Sequence, residues 1–98
     1  MNHLAVTLRN LGDLQGARQL LEQALTTSRQ VLGDDHPNTF WSMNILAETR
    51  RDLGDLQGAH DLHEQTLAGY RRVLGDDHPD TLASMDSLTA VRSELGEL

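Results

Sequence analysis

The sequence predicts an all-α solenoid of antiparallel helix pairs, with five helices spread over about two and a half repeats. Three observations predict it. Gly12-Asp13-Leu14-Gln15-Gly16-Ala17 returns unchanged as Gly54-Asp55-Leu56-Gln57-Gly58-Ala59, and Leu32-Gly33-Asp34-Asp35-His36-Pro37 returns as Leu74-Gly75-Asp76-Asp77-His78-Pro79, both 42 residues later. Self-similarity at such a period marks an array whose units bury their apolar faces against neighbours. Within each copy, apolar residues recur at steps of three and four. There is no period-two alternation and few β-branched or aromatic residues, so strands, and a propeller of similar repeat length, are excluded. Finally, helices run into Leu-Gly-Asp, a stop and a start with almost nothing between them, which forces an antiparallel pair.

The first helix is expected near residues 2–11, ending at Gly12. The second, near 14–32, carries Leu14, Ala17, Leu20, Leu21, Ala24, Leu25, Val31 and Leu32 and stops at Gly33. The third, near 37–53, starts at Pro37, a residue suited to a first helical turn, and carries Phe40, Met43, Leu46, Ala47 and Leu53. Gly54 reads as the left-handed residue past its end, and Asp55 can accept backbone N–H groups at the next start. The fourth, near 56–74, has Leu56, Ala59, Leu62, Leu67, Tyr70, Val73 and Leu74 before Gly75. The fifth, near 79–95, carries Leu82, Met85, Leu88, Val91 and Leu95. The acidic residues before Pro37 and Pro79 read as helix N-terminal caps, where negative charge is favourable.

Residues 1–38 are thus expected to form a first repeat lacking its start, because Met1 aligns with Met43 and Met85. Residues 39–80 form the second repeat, and residues 81–98 a lone capping or half-repeat helix, with a sixth helix due where Leu98 falls.

Composition narrows the function. A net charge of −7 and a pI near 4.9 argue against a broad phosphate-binding surface, so no nucleic-acid partner is expected. All eight cationic side chains are Arg, which favours forked, fixed salt bridges. Without Cys there is no disulfide, thiol nucleophile or thiolate metal site. The first residues lack the basic and apolar regions of a signal peptide, and no apolar run is long enough to span a membrane. The cytoplasm is the default compartment.

These residues resemble the tetratricopeptide repeat. The shared pattern is a small residue in the first helix (Ala5, Ala47), Gly-Asp at the turn, Ala in the second helix (Ala17, Ala59) and a later Ala-Leu (Ala24-Leu25). Asn-x-Leu-Ala (Asn2 to Ala5, Asn44 to Ala47) and Leu-Gly-Asp-Asp-His-Pro-x-Thr are similar to the longer variant typified by kinesin light chain, which also occurs in bacterial signalling ATPases. The chain departs from the pattern at Thr66, which replaces the Ala seen as Ala24, and at Arg50 and Arg92, which stand where the first copy has Leu8. His63 stands where it has Leu21, and Asp86, Ser87 and Thr89 replace Asn44, Ile45 and Ala47.

The resemblance implies a concave groove lined by the first helix of each pair. It would place Asn2, Val6, Arg9 and Asn10, then Trp41, Asn44, Glu48 and Arg51, then Asp86 and Ala90 on that inner surface. In kinesin light chain-like arrays the motif Asn hydrogen-bonds the backbone of an extended peptide, a task suited to an amide that donates and accepts. Asn2 and Asn44 match; Asp86 cannot donate when ionised. Asn44 either meets a ligand or serves a neighbouring helix or water. Trp41 either anchors a partner or packs on a helix. Arg9 and Arg51 pair either with a partner's carboxylates or with Glu48 and Asp52.

Chemistry is not expected. His60 and His63 share a helix face at i, i+3, but Arg18 and Leu21 stand there in the first copy, so a packed His is expected rather than a metal ligand. Asp34-Asp35-His36 and Asp76-Asp77-His78 lack the spacing of a calcium loop. No Ser carries a local activation signature, and the glycines do not form a phosphate loop. The expectation is no catalytic residue, no metal and no cofactor. Two functions remain: a module binding a peptide or protein segment in the groove, or a structural, self-assembling slice of a longer array, such as the sensor or scaffold region of a bacterial signalling protein. Homo-oligomers could form through exposed end helices, where the stripe on the last helix would otherwise stay bare.

Overall fold

The structure is a computed structural model that describes residues 3–96. Its five helices follow the expected order: α1 His3–Asn10, α2 Leu14–Val31, α3 Pro37–Asp52, α4 Leu56–Leu74 and α5 Pro79–Glu94. Helices adjacent in sequence pack on one another. Side-chain bridges sort them into two layers. Arg9 of α1 reaches Asp52 of α3 at 2.8 Å, and Arg51 of α3 pairs with Glu94 of α5, so α1, α3 and α5 lie side by side. Arg29 of α2 donates to Gln65 of α4 at 2.9 Å in the other layer. The thinnest extent is 18 Å, suited to two helices packed 8–10 Å apart.

The Leu-Gly-Asp hinge works as its chemistry dictates. Gly54 has φ +90°, its N–H bonds the Arg51 carbonyl at 3.0 Å, and the Asp55 N–H bonds the Arg50 carbonyl at 2.8 Å. This pair of bonds closes a helix that ends on a left-handed residue. The Asp55 carboxylate then accepts from the Gly58 N–H at 2.9 Å, capping α4 in the same turn of chain. Asp13 caps α2 through Gly16 at 3.0 Å.

The second connector corrects one expectation. α3 and α5 are capped by His36 and His78, whose Nδ1 atoms accept from the N–H groups of Asn38 and Asp80 at 3.0 and 3.1 Å. Three of the four preceding carboxylates instead face arginines: Asp34 faces Arg29 at 3.6 Å, Asp76 faces Arg71 at 3.4 Å, and Asp35 pairs with Arg72, which holds its carboxyl below the usual range. The motif's last residue also has a role not foreseen. Thr39 and Thr81 are fully buried, and their hydroxyls donate back to the carbonyls of Gly33 and Gly75 at 2.7 and 2.8 Å. The motif is a folded loop locked by its own ends.

The core gathers Ala5, Leu21, Leu25, Phe40, Met43, Leu46, Ala47 and Leu62. Phe40 and Tyr70 meet with ring centroids 4.7 Å apart. The apolar stripes are not buried to their ends: Val31, Leu32, Val73 and Leu74 are exposed. Where Leu8 gives way to Arg50 and Arg92, the arginines reach the preceding helix at Glu22 (3.3 Å) and Glu64 (3.4 Å), one salt bridge per repeat.

Candidate functional site

The α1–α3–α5 layer carries the expected binding residues. On α3, Trp41, Asn44, Glu48 and Arg51 follow steps of three and four, so one helix stripe presents them together. Trp41 is half-buried and packs against the core cluster. Asn44 is half-buried, and its Oδ1 is buried without a hydrogen-bond partner. Glu48 and Asp52 both face Arg9, at 3.7 and 2.8 Å, and the Arg9 Nε is buried without a partner of its own. Arg51 is exposed and held by Glu94 of α5, whose hydrogen bond raises its pKa. Val6 on α1 is half-buried, while Asn10 is exposed. On α5, Asp86 is exposed and Ala90 half-buried. Asn2 lies outside the described residues.

The two cationic groups are thus engaged within the chain. Arg9 to Asp52 and Arg51 to Glu94 are one bridge repeated, each spanning 43 positions. It is a ladder between first-type helices that the period carries but that reading one copy alone could not show. Both pairs are partly exposed, so each contributes a fraction of about 1 kcal/mol.

The two histidines of α4 serve different ends. His60 bonds Asp61 at 3.3 Å and Glu64 at 3.1 Å. His63 fills the apolar position of Leu21, 1% exposed, and its Nδ1 has no partner. Burial holds its imidazole below the ordinary pKa, and the charges of Arg51 and His60 push the same way. Among the described residues no group of three or more His, Asp or Glu side chains could hold a metal. No described helix is long and apolar enough to cross a membrane.

The tetratricopeptide repeat family model matches residues 1–72. The chain belongs to the tetratricopeptide repeat family. Among solved structures, this tetratricopeptide array is similar to the nearly identical TPR-like repeats of a Podosopora anserina protein assigned as a kinesin light chain, with 32% identity and a TM-score of 0.87 over 97% of the chain. A single-residue variant of that protein matches with 32% identity and a TM-score of 0.88, again over 97% of the chain. The array spans 45% of the length of each of those structures. No curated protein matches it. Repeats of this family generally mediate protein–protein interaction.

Proposed function

We propose that the array is an interaction module whose concave face, formed by α1, α3 and α5, holds an extended segment of a partner protein in the cytoplasm. Asn44 is the observation that carries this reading. A buried acceptor without a donor costs about 1–3 kcal/mol; the residue is half-buried, so a turn of its side-chain amide brings the oxygen to the surface, where a backbone N–H of a bound segment would satisfy it. The amide can donate in return, giving sequence-independent grip on a peptide backbone. Around it, Glu48, Asp52, Asp86 and Glu94 outnumber Arg9 and Arg51, which favours a neutral or basic segment. Folded this way, residues 39–80 act as the complete unit, flanked by the partial repeats 1–38 and 81–98.

The test is a random peptide library displayed against the array, with Kd of selected peptides measured by fluorescence polarisation. Asn44→Ala weakens them about tenfold, or about 1.4 kcal/mol. Gln19→Ala, at an exposed position of α2, leaves them unchanged. Selected peptides that bind Asn44→Ala as they bind the unaltered chain would overturn the reading.

A further inference from the structure

α3 has a first-type helix on each side, α1 and α5, so its inner stripe has both of its neighbours in that layer. The charges along this stripe cancel in pairs, with one left over. Arg9 gives its short bond to Asp52, at 2.8 Å, and Arg51 is held by Glu94. Glu48 lies 3.7 Å from the Arg9 guanidinium, outside the range of roughly 2.7–3.2 Å for an N–H to O bond, and among the described residues no donor hydrogen-bonds it. Its side chain is 40% exposed. The repeat does not require this charge: the same register position is Val6 on α1 and Ala90 on α5, both half-buried. A single carboxylate thus stands where the neighbouring inner helices carry apolar side chains.

Asn44 precedes Glu48 by one helical turn, which sets their Cβ atoms about 5–6 Å apart on one face. One residue of an extended segment can therefore serve both, with its N–H on the Asn44 amide and a long cationic side chain on the Glu48 carboxylate. Lys and Arg both have that reach. The planar fork of Arg matches a carboxylate bidentately and is more weakly hydrated, so Arg loses less on partial burial. Its methylene stem suits the apolar flanks at Val6 and Ala90. An acidic residue in its place would meet Glu48 and Asp52 while Arg9 and Arg51 are already engaged.

On the reading that the concave face holds an extended segment, we infer that Glu48 is a specificity-determining residue that selects an arginine of that segment, at the position whose backbone N–H meets Asn44. The new pair forms without breaking the ladder, since neither Arg9–Asp52 nor Arg51–Glu94 gives up its bond. Asp52 keeps the site open by holding Arg9 away from Glu48. The pair is partly exposed, so salt weakens it by screening, and its effect falls on the choice of partner more than on total affinity.

Peptides selected from one random library by the unaltered chain and by its variants test this, with Kd read by fluorescence polarisation and the fold checked by circular dichroism. The unaltered chain enriches arginine at one fixed position. Glu48→Gln loses that enrichment and weakens the selected arginine peptides about fivefold. Glu48→Arg enriches Asp or Glu at the same position. Asp52→Asn frees Arg9 to take Glu48 and weakens the arginine peptides as well. Asp77→Asn removes the same charge from an exposed connector and changes neither selection nor Kd. With methionine in place of the peptide's arginine, Glu48→Gln has no effect. Arginine enrichment that survives Glu48→Gln, lysine enriched as strongly as arginine, or a loss shared by Asp77→Asn overturns the inference. Peptides that weaken with Asn44→Ala yet show no preference for arginine also overturn it, and leave the concave-face reading intact. Peptides indifferent to Asn44→Ala overturn that reading, and the role of Glu48 with it.

Discussion

Gly69→Ala sets two physical effects against each other. In a helix interior, replacing Gly by Ala stabilises by about 1 kcal/mol, and Gly69 lies within α4. A Cβ there, however, would stand 2.3 Å from Phe40 Cε1, 2.8 Å from Cζ and 3.4 Å from Cδ1. Ordinary carbon contacts begin near 3.5 Å, so the ring edge must retreat by roughly 1.2 Å. Phe40 is 3% exposed and flanked by Tyr70; it borders an open hollow of about 410 Å³, but retreat in that direction exposes the ring and loosens its contact with Tyr70. Overpacking of this kind costs about 1–3 kcal/mol. The expected net effect is a loss of about 1 kcal/mol, or about 4–8 °C in Tm. The assay is urea and thermal unfolding by far-UV circular dichroism, made at two protein concentrations so that any contribution from association is seen as a shift between them. In Phe40→Leu the ring edge is gone, and Gly69→Ala then stabilises. The double-mutant cycle gives a coupling of about 1–2 kcal/mol. Stabilisation by about 1 kcal/mol in both backgrounds would refute the reasoning, since only an unseated Phe40 leaves propensity unopposed.

His63→Leu restores the residue of the first copy and removes an unpartnered Nδ1, raising stability by about 1–2 kcal/mol in urea unfolding. The folded state holds this imidazole neutral, with its pKa lowered, so the unfolded chain binds the extra proton. Stability is therefore present above the unfolded pKa and falls as pH drops below about 6.5, and His63→Leu flattens that slope; equal slopes would count against it. At the connector, His36→Ala removes the cap of α3 and costs about 1 kcal/mol, whereas Asp35→Ala removes only an exposed ion pair and changes thermal unfolding little. The reverse order would restore the acidic cap.

Much of the fold was legible because its signals are local. Gly54 and Asp55 act through bonds within a few residues of themselves, so their chemistry can be read without knowing what they pack against. Helix boundaries followed for the same reason. The second connector was less legible. Asp35 looked like a cap because carboxylates suit helix starts, yet Arg72, 37 residues away, draws it off and leaves the task to His36. No local pattern announces such a competitor. The candidate face was legible through resemblance and through spacing on α3, but the states of its residues were not. Arg9 and Arg51 are neutralised by α3 and α5 respectively, partners that only the stacking of helices brings near.

The sequence by itself determined the period, the helix pairs, the turns between them and the acidic character of the surface, because each depends on covalent geometry or on interactions a few residues long. The tertiary structure alone decided which stripes are covered and which are left bare. Leu82 and Phe40 occupy the same place in the repeat, yet one is half exposed and the other buried. Burial is a property of the neighbour, and a repeat does not state how many neighbours it has.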